Sequence, residues 1–131
     1  MKTVNTVSYY IQKTKMKYIE KDIRPWGSYF VIHDEQNYKL KRIEVMPGKR
    51  LSYQYHHKRS ETWTIVEGAG IFTLDDKEFT VKTGDSVSIP RLSKHRIFNN
   101  NKEILIFIEV QTGTYFGEDD IVRVEDDYNR K

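Results

Sequence analysis

The chain has 131 residues, 37% hydrophobic and 31% charged, which fits one domain able to bury roughly two-thirds of its unfolded surface without covalent staples. Cysteine is absent, so disulfides, thiolate metal sites and thiol nucleophiles are excluded, and any metal must be held by nitrogen and oxygen. No apolar run approaches the roughly 20 residues of a membrane span, and the net charge of +3 is not gathered into a Lys/Arg stripe with interleaved aromatics, so neither membrane nor nucleic acid is an expected partner.

Residues 1–22 carry no clear period and read as an extended arm or a short helix, with Met16 as an alternative start. The arm lacks the apolar stretch of a signal peptide, so the cytoplasm is the expected location. The domain proper is placed at 23–131. From there, short β-branched or aromatic runs follow one another: Ser28–Asp34, Tyr38–Met46, Arg50–His56, Glu61–Gly68, Ala69–Asp76, Lys77–Gly84, Asp85–Pro90, Lys94–Asn100 and Glu103–Gly113. Turn tokens such as "DEQN", "PGK", "EGAG" and "NNNK" separate them. Many short strands at near-regular spacing predict an all-β sandwich or barrel. The tail "YFGEDDIVRVEDDYNRK" is expected to supply a short helix or a flap.

Two histidine-bearing segments lie in this series, "PGKRLSYQYHHKRSETWTIVEG" and "GDSVSIPRLSKHRIFNN". Alone, "HHKRSE" is a solvated turn more often than a ligand cluster. The pair resembles the two motifs of the cupin superfamily, which implies a single double-stranded β-helix, or jelly-roll barrel. Matching positions are Gly48, Gln54, His56, Glu61 and Gly68, then Gly84, Pro90, His95 and Asn99. Gln54 stands where a histidine is usual, and Leu92 replaces a turn glycine. Strand parity agrees: Gln54 and His56 share one face, while Tyr53, Tyr55 and His57 point away. Glu61 follows a reversal at "HKRS", and His95 must come from a distant strand. Such a set suits Zn2+, with Fe2+, Mn2+, Co2+ or Ni2+ as substitutes.

A narrower resemblance lies outside the motifs. "RPWGSYFVI", "YKLKRIEVMPG" and "IEVQTGTYFGEDDIVRVEDDYNR" are similar to the C-terminal domain of type II phosphomannose isomerases. That resemblance implies a metal set of Gln54, His56, Glu61 and His95, which accounts for the glutamine. Lys58, Ser60 and Thr62 depart from the family's usual residues without removing a ligand. The implied reaction interconverts mannose 6-phosphate and fructose 6-phosphate through an enediol(ate). Lys41, sharing a strand face with Lys39, Ile43 and Val45, is expected inside the barrel as a phosphate partner or catalytic group. Arg59, placed in the loop between ligands, and Arg123 are the other phosphate candidates, or else exposed salt-bridge partners.

Glu109, in the apolar run "ILIFIEVQ", is the candidate general base or a structural partner of Lys41. Glu118, Asp119 and Asp120 belong to a flap over the sugar or to a solvated acidic loop. A chain this short has no room for a nucleotide-binding α/β domain, so any guanylyltransferase activity is expected from another protein. Open strand edges favour a homodimer. The competing readings are another metal cupin (a sugar-nucleotide epimerase or isomerase, or an iron dioxygenase) and a non-catalytic sugar-binding cupin.

Overall fold

The computed structural model describes residues 16–130. These form strands β1 (Glu20–Arg24), β2 (Gly27–Asp34), β3 (Tyr38–Val45), β4 (Tyr53–Tyr55), β5 (Arg59–Glu67), β6 (Ala69–Leu74), β7 (Lys77–Lys82), β8 (Ser86–Ile89), β9 (His95–Phe98), β10 (Leu105–Gly113) and β11 (Val122–Glu125). No helix occurs among the described residues, and so none long and apolar enough to cross a membrane. All pairings are antiparallel. A six-stranded sheet in the order β1-β2-β3-β10-β5-β8 faces a five-stranded sheet in the order β11-β4-β9-β6-β7.

Three differences from the expected elements have local causes. β1 pairs with β2 and begins at Glu20, within the span assigned to the arm; the rest of that span, up to residue 15, lies outside the described residues. The run Arg50–His56 narrows to β4, with Arg50 making only an isolated bridge to Phe98. The tail forms no helix; its "VRVE" pairs with β4 as β11.

The register explains how one fold holds both a core and a site. On β3, buried Lys39, Lys41, Ile43 and Val45 alternate with less buried residues, as a strand with one face inward requires. Pairing of β10 with β3 and β5 then stacks the inner side chains in layers. Val45 meets Leu105; Ile43, Phe107 and Ile65 form the next layer; then Lys41, Glu109 and Trp63; then Lys39, Gln111 and Glu61. The interior therefore changes from apolar to charged along the strands. Phe72 and Ile97 of the facing sheet complete the apolar end, fully buried, each such side chain stabilising the fold by about 1.5–3 kcal/mol.

Turns hold this arrangement. Gly68, between β5 and β6, has φ +86, and a Cβ there would meet the Ile104 carbonyl oxygen at 2.7 Å, so only glycine fits. Leu92, the residue in place of a turn glycine, adopts φ 72, a left-handed conformation costing a side chain roughly 1–2 kcal/mol. Its N–H donates to the His56 carbonyl at 2.9 Å, tying this turn to the site.

Candidate metal centre

The charged end of the barrel gathers side chains from four strands. His56 follows β4, Glu61 lies on β5 and His95 opens β9; all three are buried. Their ligand atoms lie within 4.8 Å of one another. Each imidazole is oriented by a carbonyl. His56 Nδ1 donates to Asp120 O at 2.7 Å, and His95 Nδ1 donates to Ser93 O at 2.9 Å. Both Nε2 atoms therefore carry lone pairs, 3.4 and 3.5 Å from the two Glu61 oxygens.

His95 Nε2 is buried and has no hydrogen-bond partner. Burial, aided by the charges of Arg59 and His95 and opposed by Glu61, pushes the His56 pKa down to about 4, so the ring is neutral near pH 7. Burial works against ionised Glu61, but His95, His56 and Arg59 together hold its carboxyl well below the usual range. Two neutral imidazoles and a carboxylate, with one acceptor nitrogen unsatisfied, fit a divalent cation. Gln54 lies opposite His95 in the β4–β9 pair and lines the same cavity. Its Nε2 donates to Ser52 Oγ at 3.1 Å, which leaves Oε1 as the atom it can offer a cation.

The cavity beside this cluster has a volume of about 190 Å³ and is lined by His56, Glu61, Glu109, Lys41, Arg59 and Arg123 among others. Arg59 is not in a loop and not exposed. It is the first residue of β5, on the face of Glu61, and its buried Nε donates to Glu61 Oε2 at 2.8 Å. Lys41 points inward as expected. Its ammonium pairs with Glu118, not with the Glu109 that stands across from it in the register. Arg123 lines the cavity from β11, half-buried. His57 is exposed, as parity required.

Glu109 lies one layer beyond Glu61. Burial, with the neighbouring Glu61 charge, raises its pKa well above the ordinary carboxylate value. Two side chains link the carboxyl groups. Trp63 Nε1 donates to Glu61 Oε1 at 3.0 Å and Glu109 Oε2 at 2.9 Å. Gln111 Nε2 donates to Glu109 Oε1 at 2.9 Å. The sequence reading missed Trp63 and Gln111, whose parity with Glu61 and Glu109 was the available signal. It also missed Arg24, Tyr29 and Arg130, which line the cavity from β1, β2 and the tail. Asp120 proves structural, its carboxylate accepting the His57 and Lys58 N–H groups at 2.9 Å.

Two antiparallel sheets closed over a buried His–Glu–His cluster define a cupin, a double-stranded β-helix domain. The chain belongs to the family described as mannose-6-phosphate isomerase C-terminal, whose profile matches residues 11–126. It is 49% identical over 107 residues to the alginate biosynthesis protein AlgA of Pseudomonas aeruginosa, covering 82% of this chain and 22% of that protein. It is 37% identical over 119 residues to a mannose-1-phosphate guanylyltransferase of Klebsiella pneumoniae, covering 91% of this chain and 25% of that protein. The chain thus spans about a quarter or less of the length of these relatives.

Among solved structures, the capsular polysaccharide assembling protein CapF of Staphylococcus aureus superposes with a TM-score of 0.72 at 20% identity, over 87% of this chain and 34% of that one. Streptomyces PAC13, solved with uridine, gives 0.71 at 19% identity, over 86% and 93%. These likenesses establish the fold.

Proposed function

We propose that the domain holds one divalent cation, Zn2+ by preference, through His56, Glu61, His95 and Gln54, and interconverts mannose 6-phosphate and fructose 6-phosphate. One observation carries this reading. Glu109, a carboxyl that burial keeps protonated, shares the Trp63 N–H with the carboxylate of a His–Glu–His cluster, inside a cavity lined by cations. The bound cation would act as a Lewis acid towards the sugar oxygens.

The chain's own residues supply the remaining chemistry. Aldose–ketose interconversion removes a proton from C2 and returns it at C1, with negative charge spread over the two oxygens between the steps. Glu109 is the group positioned to hold that proton, and its high proton affinity suits an acid that must return it. Arg59, ion-paired with Glu61 inside the site, faces the developing oxyanion. Lys41 and Arg123 are the cations available to the anionic end of the sugar. Ile43, Leu51 and Trp63 form an apolar wall that keeps water from the reacting carbons.

The test loads the protein separately with Zn2+, Co2+, Mn2+ and Ni2+, adds fructose 6-phosphate and follows mannose 6-phosphate. Turnover is expected with at least one metal. Its absence with all four, in folded protein, removes the isomerase reading in favour of another cupin activity.

A further inference from the structure

The cavity is small for a ligand site: about 190 Å³, against roughly 300–1,000 Å³ for typical small-molecule pockets. Part of the missing space is taken by the segment after β10, from which Glu118 and Ile121 line the cavity. That segment is anchored on both sides. Lys39 Nζ donates to Phe116 O at 3.4 Å and Arg59 Nη1 donates to Gly117 O at 3.2 Å, and the Asp120 carboxylate caps the His57 and Lys58 N–H groups. Between these anchors, Glu118 Oε2 pairs with Lys41 Nζ and stands 3.7 Å from Lys39 Nζ.

The distribution of charge explains this placement. Lys39, Lys41 and Arg59 are only 8%, 3% and 5% exposed, and buried cations without counter-ions are strongly destabilising. Glu61 answers Arg59. Glu109 is held protonated and contributes no negative charge. Glu118 is left to serve both lysines. Its side chain remains 39% exposed, so it reaches them from the solvent side, along the path an entering anion must follow.

We propose that Lys39 and Lys41 form the anion subsite of this cavity, and that Glu118 is its internal occupant, displaced when the anionic group of a ligand enters. The identity of that group as a sugar phosphate rests on the isomerase reading; the exchange itself does not. A phosphate offers more charge and more acceptor oxygens than a carboxylate. It can bridge both ammonium groups, whereas Glu118 bonds one and stands off the other. Leaving the subsite also frees the volume that Glu118 occupies.

Calorimetric titration of inorganic phosphate tests this, on metal-free and Zn2+-loaded protein, with Glu118→Gln, Lys41→Met and the double variant. Glu118→Gln is expected to bind phosphate about tenfold more tightly in both metal states, and Lys41→Met to remove that gain. Unchanged or weaker binding by Glu118→Gln, or a gain that survives Lys41→Met, overturns the proposal. Should Glu118→Gln fail to fold, hydrogen exchange of the unaltered protein decides: amides 116–119 must exchange faster with phosphate bound, and equal or slower exchange overturns it. Phosphate exchange without sugar turnover would remove the isomerase reading and leave the subsite. Turnover with no effect of Glu118→Gln on phosphate would do the reverse.

Discussion

The interior of the barrel divides at Trp63, and its two ends differ although β3, β5 and β10 build both. On one side Ile43, Val45, Ile65, Leu105 and Phe107 pack with Phe72 and Ile97. On the other, Lys39, Lys41, Arg59, Glu61, Glu109 and Gln111 are buried to a similar extent. Burying the second set costs free energy that only paired charges and hydrogen bonds limit, so the first set must supply the surplus that keeps the fold stable. Trp63 belongs to both. Its ring stacks on Phe107 with centroids 4.2 Å apart, and its N–H serves the two carboxyl groups. Function here occupies one end of a shared scaffold, whose other end provides the stability.

The sharpest way to break this division is at the cluster. His56→Ala is expected to abolish stoichiometric metal and isomerase turnover together while the protein stays folded; elemental analysis beside the sugar assay checks it. Retention of both would remove His56 from the ligand set. At the other end, Phe107→Ala should lower stability by about 3–5 kcal/mol, read from urea unfolding, while the surviving folded protein still binds one metal per chain.

Trp63→Phe probes the boundary. Packing is largely kept, but Glu61 and Glu109 lose a shared donor, at a cost of about 1–3 kcal/mol. Because the ligand's orientation also loosens, metal affinity should fall about 10–100-fold in a competition titration. A stability loss with unchanged affinity would confine Trp63 to the core.

The smallest effect is electrostatic and belongs to the charged end alone. Burial opposes ionisation of Glu118, but Lys41, with Arg59 and Lys39, lowers its pKa below 4.5. A depressed folded pKa stabilises the protein above the unfolded value of 4.5, and that contribution is lost as pH falls through the folded pKa. Urea midpoints at neutral and strongly acidic pH should therefore converge less for Glu118→Gln than for the unaltered chain, whereas Phe107→Ala should keep the full acid sensitivity. Equal acid sensitivity with and without Glu118 would contradict the ion pair.

Much of this was legible in the chain. The strands declare themselves through β-branched runs cut by turns, and parity alone puts Gln54 and His56 on one face and His57 on the other. β1 and β11 escaped because "EKDIR" and "VRVE" are short and charged, and owe their strand state to a neighbour. Arg59 was misplaced because "HKRS" has turn composition; its spacing of two from Glu61 was the better guide. The partner of Lys41 was out of reach, since Glu118 lies 77 residues away in a segment without periodicity. Pairings of that kind come from tertiary closure, which local pattern does not encode.

The ring of His56 is oriented by the carbonyl of Asp120, 64 residues further along the chain. Synthesis at roughly 5–20 residues per second separates the two by about 3–13 s. During that interval a nascent chain carries the first histidine with neither its orienting carbonyl nor, for most of the time, His95. A growing polypeptide thus offers passing cations no assembled cage, and the choice of metal is deferred until the closing segment has left the ribosome. Selection among competing ions is then made by a finished cavity of fixed dimensions, rather than by whichever ion first meets an imidazole.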